Sequence, residues 1–103
     1  MTDKKIVTQL IKFGFTAAQA KLYLAGLKLG PELMARLSHH SRVRRTTAYY
    51  MMEELQRRGF FGKIKIGKRY YYVAASLRQL LKMTKRREKL VRKLMKVLIV
   101  DKT

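Results

Sequence analysis

Cysteine is absent from the 103 residues. A chain without cysteine forms no disulfide and no thiolate metal site, which allows an intracellular location. Since the sequence also lacks an apolar run of signal-peptide or membrane-span type, we expect a soluble, cytoplasmic protein. The two histidines, His39 and His40, are neighbours in the sequence and point to different faces of a helix. No carboxylate stands at a suitable spacing from them. We therefore expect neither a metal site nor a cofactor.

Long hydrophobic runs are also missing. No segment approaches the roughly 18 apolar residues of a membrane span, and the N-terminal stretch MTDKKIVTQLIKFGF lacks the apolar run of a signal peptide. Hydrophobic residues nevertheless make up 48% of the chain. That content is too high for a disordered basic tail, so we expect one folded domain with one projecting element.

Acidic residues are scarce. Six acids stand against 25 lysines and arginines, which gives a formal charge of +19. A surface with this much self-repulsion indicates a polyanionic partner. The acids form no convincing acid/base pair, and no glycine-rich phosphate loop or nucleophile motif is present, so we do not expect an enzyme.

Hydrophobic periodicity predicts four helices in the first half of the chain. The first runs from Asp3 to about Lys12, and the second follows a capping box at Thr16 and ends at about Leu29. The third is expected over residues 31–39 and the fourth over residues 45–58, with Ala48, Met52 and Leu55 inward. Helices three and four, joined by a tight turn, have the outline of a helix-turn-helix.

After Gly59 the pattern alternates, as in a hairpin. A two-residue turn at Gly67 and Lys68 sets a register in which Ile64 faces Tyr71. We expect the face with Ile64 to close the core, and the face with Lys63, Lys65, Tyr70 and Tyr72 to lie outside. The two outer tyrosines either stack on unpaired bases or pack against the helix that follows.

The remaining residues predict one long helix, capped near Ser76, with apolar side chains near heptad positions. Pairing of this helix across a two-fold axis would make a homodimer. Two alternatives stay open, namely packing of the helix onto its own domain and binding to an anionic membrane surface. The residues expected at the dimer interface are Leu77, Leu80, Leu81, Val91, Leu94 and Leu98.

The order of helices, turn, hairpin and long helix is that of a winged helix-turn-helix. Residues 10–81 further resemble the winged domain of the TrmB-type transcriptional regulators. The most specific matches are Gly14-Phe15-Thr16, Ala20 with Tyr23 and Leu24, Leu29-Gly30-Pro31, Arg45-Thr46-Thr47 leading to Tyr49 and Leu55, and Tyr71. The resemblance implies a dimer that binds double-stranded DNA.

This sequence departs from the family pattern at several positions. Most departures remove negative charge or add positive charge near the expected DNA face. The long family members also carry an effector-binding domain, for which these residues offer no segment, so no small-molecule effector is expected. The departures are Gln19 for an acid, Ser38 for alanine, Arg42 for glycine, Arg44 for proline and Tyr50 for an acid.

In a helix-turn-helix the second helix lies in the major groove, with its N-terminal residues near the base edges. The residues expected to contact DNA there are Arg42, Arg44, Arg45, Thr46, Thr47 and Tyr50. On the wing, Lys63, Lys65, Lys68 and Arg69 are expected to contact phosphates. The alternatives are a solvated helix end and edge-strand lysines that prevent aggregation.

The sequence thus predicts a mainly α protein with a small β-hairpin. We expect a winged helix-turn-helix DNA-binding domain over residues 1–75, and a C-terminal dimerisation helix over residues 76–103. The expected function is that of a dimeric transcriptional regulator. A nucleoid-associated protein that binds DNA with little sequence specificity and a basic RNA-binding protein are the alternatives.

Overall fold

A computed structural model describes residues 2–101 of the chain. These residues form five helices and one two-stranded antiparallel hairpin, which confirms the predicted winged helix-turn-helix architecture. The elements are α1 (Asp3–Phe13), α2 (Ala17–Leu29), α3 (Met34–Ser41), α4 (Arg45–Arg57), β1 (Phe61–Ile66), β2 (Arg69–Ala74) and α5 (Leu77–Asp101).

The start of α2 is fixed by the predicted capping box. The Thr16 hydroxyl accepts a hydrogen bond from the Gln19 backbone N–H at 3.2 Å, and the Gln19 side chain accepts one from the Thr16 N–H at 3.0 Å. The Gln19 amide also donates to Glu54 on α4, at 3.3 Å. An acid at position 19 would instead be repelled by the Glu54 carboxylate. Glutamine in place of the family's acid is therefore compatible with Glu54.

Helix α3 begins at Met34, and the prediction that it starts at Pro31 was wrong. The chain is not helical at residues 31–33, because Glu32 forms a backbone bridge with Tyr72 of β2 and Leu33 is extended. The Glu32 N–H donates to the Tyr72 carbonyl at 3.1 Å, and the Tyr72 N–H donates back at 2.8 Å. The base of the hairpin is thereby attached to the beginning of the helix-turn-helix.

The hairpin has the predicted register but presents the opposite face to the core. Ile64 pairs with Tyr71 as expected, yet Ile64 is 43% exposed. The face that carries Phe61 and Tyr72 is the buried one. The prediction failed because Ile64 and Ile66 look like core residues, whereas the hairpin contacts the helices only near its base, through Phe61 and Tyr72.

The core lies between α2, α4 and the base of the hairpin. Phe15 packs against Phe60, with ring centroids 4.7 Å apart, and stacks on Tyr23 at 5.3 Å. The Tyr23 hydroxyl donates to the Ala75 carbonyl at 2.6 Å, and burial raises the pKa of Tyr23 to about 12. This bond ties the core to the segment between β2 and α5.

Helix α5 begins with a second capping box. The Ser76 hydroxyl accepts from the Gln79 N–H at 3.1 Å, and the Gln79 side chain accepts from the Ser76 N–H at 2.8 Å. Leu80 is buried and Met83 is half-buried against the core. The side chains of residues 84–99 are exposed, so most of α5 projects from the domain.

Candidate nucleic-acid interface

The turn between α3 and α4 presents Arg42 to solvent. Arg42 takes the left-handed conformation, with φ of 60°, which is costly for a residue other than glycine. Below it, the Ser38 hydroxyl donates to the Val43 carbonyl at 2.5 Å. Val43 is buried and anchors the turn. Ser38, which replaces the family's alanine, therefore provides a hydrogen-bond partner for this buried backbone.

Helix α4 points a polar surface away from the core, and this surface is basic at its N-terminal end. Ala48, Met52 and Leu55 are buried on one side of the helix. On the exposed side, Tyr50 is 71% accessible. Arg44, Arg45 and Thr46 at the start of the helix are exposed, and Thr47 is half-buried. Thr47 therefore offers less surface to a ligand than the other predicted recognition residues.

The N-terminus of α4 adds to the positive potential. No side chain caps this end, and its first turn contains no acid. The free backbone N–H groups and the positive end of the helix dipole therefore face the same solvent as Arg44 and Arg45. Such an end attracts anions such as phosphate groups.

The wing carries its four predicted cations in exposed positions, namely Lys63, Lys65, Lys68 and Arg69. The Lys63 ammonium lies 4.3 Å from the centroid of the Tyr70 ring, and Lys65 lies 5.7 Å from the same centroid. These contacts hold two lysine side chains of β1 against a tyrosine ring of β2.

A groove of about 520 Å³ separates the wing from the helix-turn-helix. Arg45 of α4 lines it together with Lys63 and Arg69 of the wing. The structure thus brings recognition-helix and wing cations around one space. Arg42 lines a different groove, and Lys68 lies at the hairpin tip, so the basic surface extends beyond this groove.

Tyrosines form much of the wall of this groove, and the sequence analysis did not assign Tyr49 to the site. Tyr49 lines the groove with Tyr70 and Tyr72, which lie beside α3 and α4 here. Its position four residues after Arg45 is the signal that was available, since such residues share a helix face. Burial, followed by the proximity of Tyr49, raises the pKa of Tyr72, so its hydroxyl stays protonated.

Acidic side chains do not neutralise the recognition and wing cations. In the described part of the chain, the ion pairs are Lys28–Asp3, Arg36–Glu32 and Arg92–Glu88. None of them includes a predicted DNA-contacting residue. The basic surface around the groove is therefore available to an anion.

Residues 2–101 contain neither a metal-binding cluster nor a membrane-spanning helix. Over this range no three histidine, cysteine, aspartate or glutamate side chains lie together so that they could hold a metal ion. None of the helices in the same range has an apolar segment of the length that crosses a membrane.

The predicted dimer residues on α5 are exposed, with one exception. Leu80 is 6% accessible and packs into the core of its own domain, so it is not offered to a second chain. The other residues, Leu77, Leu81, Val91, Leu94 and Leu98, are between 53% and 63% accessible. The prediction for Leu80 followed from its heptad position, which does not distinguish a contact within the domain from a contact between chains.

Known proteins resemble this chain in sequence and in structure. The HTH-type sugar sensing transcriptional regulator TrmBL1 of Pyrococcus furiosus is 35% identical over 60 residues, which is 58% of this chain and 18% of that protein. The archaeal chromatin protein TrmBL2 superposes with a TM-score of 0.76 at 20% identity, over 92% of this chain and 37% of that one. This chain therefore spans well under half the length of either protein.

A bacterial regulator shares the same fold. BpsR of Bordetella bronchiseptica, whose DNA binding is regulated by 6-hydroxynicotinic acid, superposes with a TM-score of 0.62 at 17% identity, over 88% of this chain and 70% of that one. Residues 10–78, most of the winged domain, match the family described as sugar-specific transcriptional regulator TrmB. By this match the chain belongs to the TrmB family of transcriptional regulators.

Proposed function

We propose that this protein is a transcriptional regulator that binds double-stranded DNA through α4 and the wing. The observation that carries the proposal is the groove that Arg45, Lys63 and Arg69 line together, since none of the three is paired with an acid among the described residues. Arginine and lysine around one concave surface suit a phosphate backbone, and an exposed helix beside it suits a major groove.

Each part of the interface has a distinct role in this proposal. Arg45 and Tyr50 reach base edges or nearby phosphates from α4, since they are exposed near its N-terminal end. Lys63, Lys65 and Arg69 hold phosphates from the wing. The protein acts by binding and not by catalysis, and it needs no cofactor.

The proposed active form is a homodimer through α5. Val91, Leu94 and Leu98 form an exposed apolar stripe, which a second copy of the helix would cover. A dimer would place two recognition helices in successive major grooves, roughly 34 Å apart. Its DNA site would accordingly be palindromic.

A second candidate function is DNA packaging, as a nucleoid-associated protein. The formal charge of +19 favours it, because charge of this size supports binding to any DNA sequence. The structural neighbour TrmBL2 is itself a chromatin protein. The two functions differ in one measurable property, which is the ratio of specific to non-specific affinity.

The test is selection from a random duplex library at roughly 0.2 M salt, with unlabelled RNA as competitor. Enrichment of a palindromic motif supports the regulator. Tight binding without enrichment supports the packaging protein, and displacement of the duplex by RNA at equal salt contradicts both.

Two matched variants sharpen this test. Arg45→Ala removes a cation beside the base edges, so we expect it to weaken binding to the selected motif by about 1–3 kcal/mol and to relax specificity. Lys68→Ala removes a cation at the wing tip and should weaken binding to all sequences about equally. Equal effects of both variants on specific and random DNA would count against base recognition by Arg45.

A further inference from the structure

Helix α5 carries a second basic surface, on the side opposite its apolar stripe. Eight of its lysines and arginines fall within about one third of the helix circumference, and all eight are exposed. We call this set the α5 ridge. Its members are Arg78, Lys82, Lys85, Arg86, Lys89, Arg92, Lys93 and Lys96.

The composition of the α5 ridge is unfavourable for an isolated helix. Five pairs of its residues stand four positions apart and repel each other, at a cost of about 0.2–0.5 kcal/mol each. Within the side chains that the structure describes on α5, Glu88 is the acid that offsets this repulsion, through its contact with Arg92 at 2.9 Å. A solvated helix face usually mixes both signs of charge, and this one does not.

The spacing of the ridge matches a nucleic-acid backbone. From Arg78 to Lys96 the helix rises about 27 Å, so eight cations give about one positive charge per 3.4 Å. One strand of B-DNA carries one phosphate per about 3.4 Å of helix axis. A band of cations with this charge density can replace condensed counterions where it lies against the backbone.

The ridge is also separate from the groove between α4 and the wing. None of the residues that line that groove belongs to α5. Beyond Met83 the helix projects away from the core, so its outer face is not covered by the domain. In the proposed dimer the apolar stripes meet each other, and the two ridges face outward.

We propose that the α5 ridge is a second binding surface for duplex DNA, one that holds the phosphate backbone without reading sequence. The inference rests on the proposed DNA-binding function and adds a contact that the winged domain does not provide. Counterions released from the DNA at the ridge would add to the affinity for every sequence. They would also make the binding constant fall more steeply with salt concentration.

The test compares two triple variants with the same change in net charge. Lys82→Gln, Lys85→Gln and Lys89→Gln together remove three ridge cations. Lys4→Gln, Lys5→Gln and Lys12→Gln together remove three exposed cations from α1. Glutamine and lysine have similar helix propensity, and these side chains are all exposed, so both variants should fold. Circular dichroism and a thermal melt check this.

Affinity for a random 30-base-pair duplex is then measured at several salt concentrations. We expect the ridge variant to bind at least about tenfold more weakly at 0.1 M salt, with a salt slope lower in magnitude by about 2 to 3. The α1 variant should keep the slope of the unmodified protein. A ridge variant with an unchanged slope, or equal losses in both variants, would overturn the proposal.

Chemical protection of the unmodified protein gives an independent measurement. Bound duplex should protect Lys82, Lys85 and Lys89 from acetylation, relative to Lys4 and Lys5. Protection of these ridge lysines by vesicles of anionic phospholipid or by structured RNA, but not by duplex DNA, would overturn the proposal. If the unmodified protein does not bind DNA at all, the proposed function itself fails. If the unmodified protein binds DNA but the ridge variant binds with the same salt slope, the ridge proposal fails and the proposed DNA-binding function stands.

Discussion

The winged domain and the helix that follows it use apolar residues in opposite ways. Residues 3–75 contain a shared core in which large side chains such as Tyr23 and Phe60 are fully buried. In α5, the large apolar side chains of residues 90–99 are all at least 53% accessible. The first region therefore has a core of its own, whereas residues 90–99 of the second place their apolar side chains in solvent.

The two regions also differ in how they carry charge. The winged domain places three cations, Arg45, Lys63 and Arg69, around a groove that tyrosine side chains also line. The α5 ridge is a band of exposed lysines and arginines along one helix, without aromatic side chains. A groove selects a ligand by its shape, while a row of cations responds mainly to charge density. The comparison suggests that selectivity lies in the first region and general affinity in the second.

The largest expected effect is that of Leu94→Arg, which attacks the exposed stripe. In the proposed dimer each copy buries Leu94, which stabilises the dimer by about 1.5–3 kcal/mol per side chain. The variant loses this stabilisation in both copies, and the two introduced arginines repel each other. We expect at least a hundredfold weaker dimer, measured as molar mass by light scattering at micromolar concentration.

Leu94→Met is the control, because it keeps an apolar side chain of similar volume and should stay dimeric. An unmodified protein that is monomeric in the same measurement would show that the stripe is not a dimer seam. So would a Leu94→Arg variant of unchanged mass.

The next largest expected effect is a loss of stability in the core of the winged domain, caused by Gly26→Ala. A Cβ atom at position 26 would lie 2.7 Å from the Cζ atom of Phe61 and 2.9 Å from the Cβ atom of Ala74. Both neighbours belong to the hairpin base and cannot move independently. We expect the free energy of unfolding to fall by about 1–2 kcal/mol in urea titration, despite the better helix propensity of alanine.

Gly62→Ala is the matched control, since a Cβ atom there meets nothing within 4 Å. It should leave the stability unchanged within about 0.5 kcal/mol. Equal stabilities for the two variants would show that α2 can shift away from the hairpin, and that the close approach at Gly26 is not required.

A smaller effect is expected where the two regions join, from Tyr23→Phe. The variant leaves the Ala75 carbonyl without its hydrogen bond and should lower the free energy of unfolding by about 1 kcal/mol. Because burial raises the pKa of Tyr23 to about 12, the folded protein keeps this proton when the unfolded chain releases it. The stabilisation is complete below about pH 10 and is lost as the pH rises towards 12.

Urea titrations at pH 8 and pH 11 measure this difference. The stability gap between the unmodified protein and Tyr23→Phe should narrow at pH 11, whereas Tyr70→Phe, at an exposed position, should show no such change. A gap that stays constant with pH would contradict the assigned role of the Tyr23 hydroxyl.

The smallest effect is a gain in stability from Arg42→Gly. Glycine adopts the left-handed conformation without strain, so we expect the free energy of unfolding to rise by about 0.5 kcal/mol. DNA affinity should fall at the same time, because one cation is lost. Arg44→Gly is the matched control, since it removes the same charge at a residue with negative φ and should not stabilise. A fall in stability for both would show that Arg42 is not strained.

Much of the fold follows from local sequence signals. The capping residues Thr16 and Ser76 and the turn at Gly67 fixed where α2, α5 and the hairpin begin or turn, because these signals act within a few residues. The start of α3 was missed, since the bridge from Glu32 to Tyr72 joins residues that are 40 positions apart.

The buried face of the wing was missed for a related reason. Alternation assigns residues to two faces but does not say which face meets the helices. For the candidate site, the exposed positions of Arg45 and the wing lysines were expected. The role of Tyr49 in the groove was not, because it depends on the distance between two elements that the sequence alone does not give.

The backbone bridge between Glu32 and Tyr72 has a consequence for the kind of duplex that the proposed binding surface would accept. Two hydrogen bonds attach the wing to the start of the helix-turn-helix, so the spacing between these two elements is fixed. B-form DNA has a wide major groove that admits α4, whereas the major groove of A-form RNA is deep and narrow. A binding surface of fixed spacing would therefore discriminate between the two duplexes by the width of the major groove, before any base is contacted.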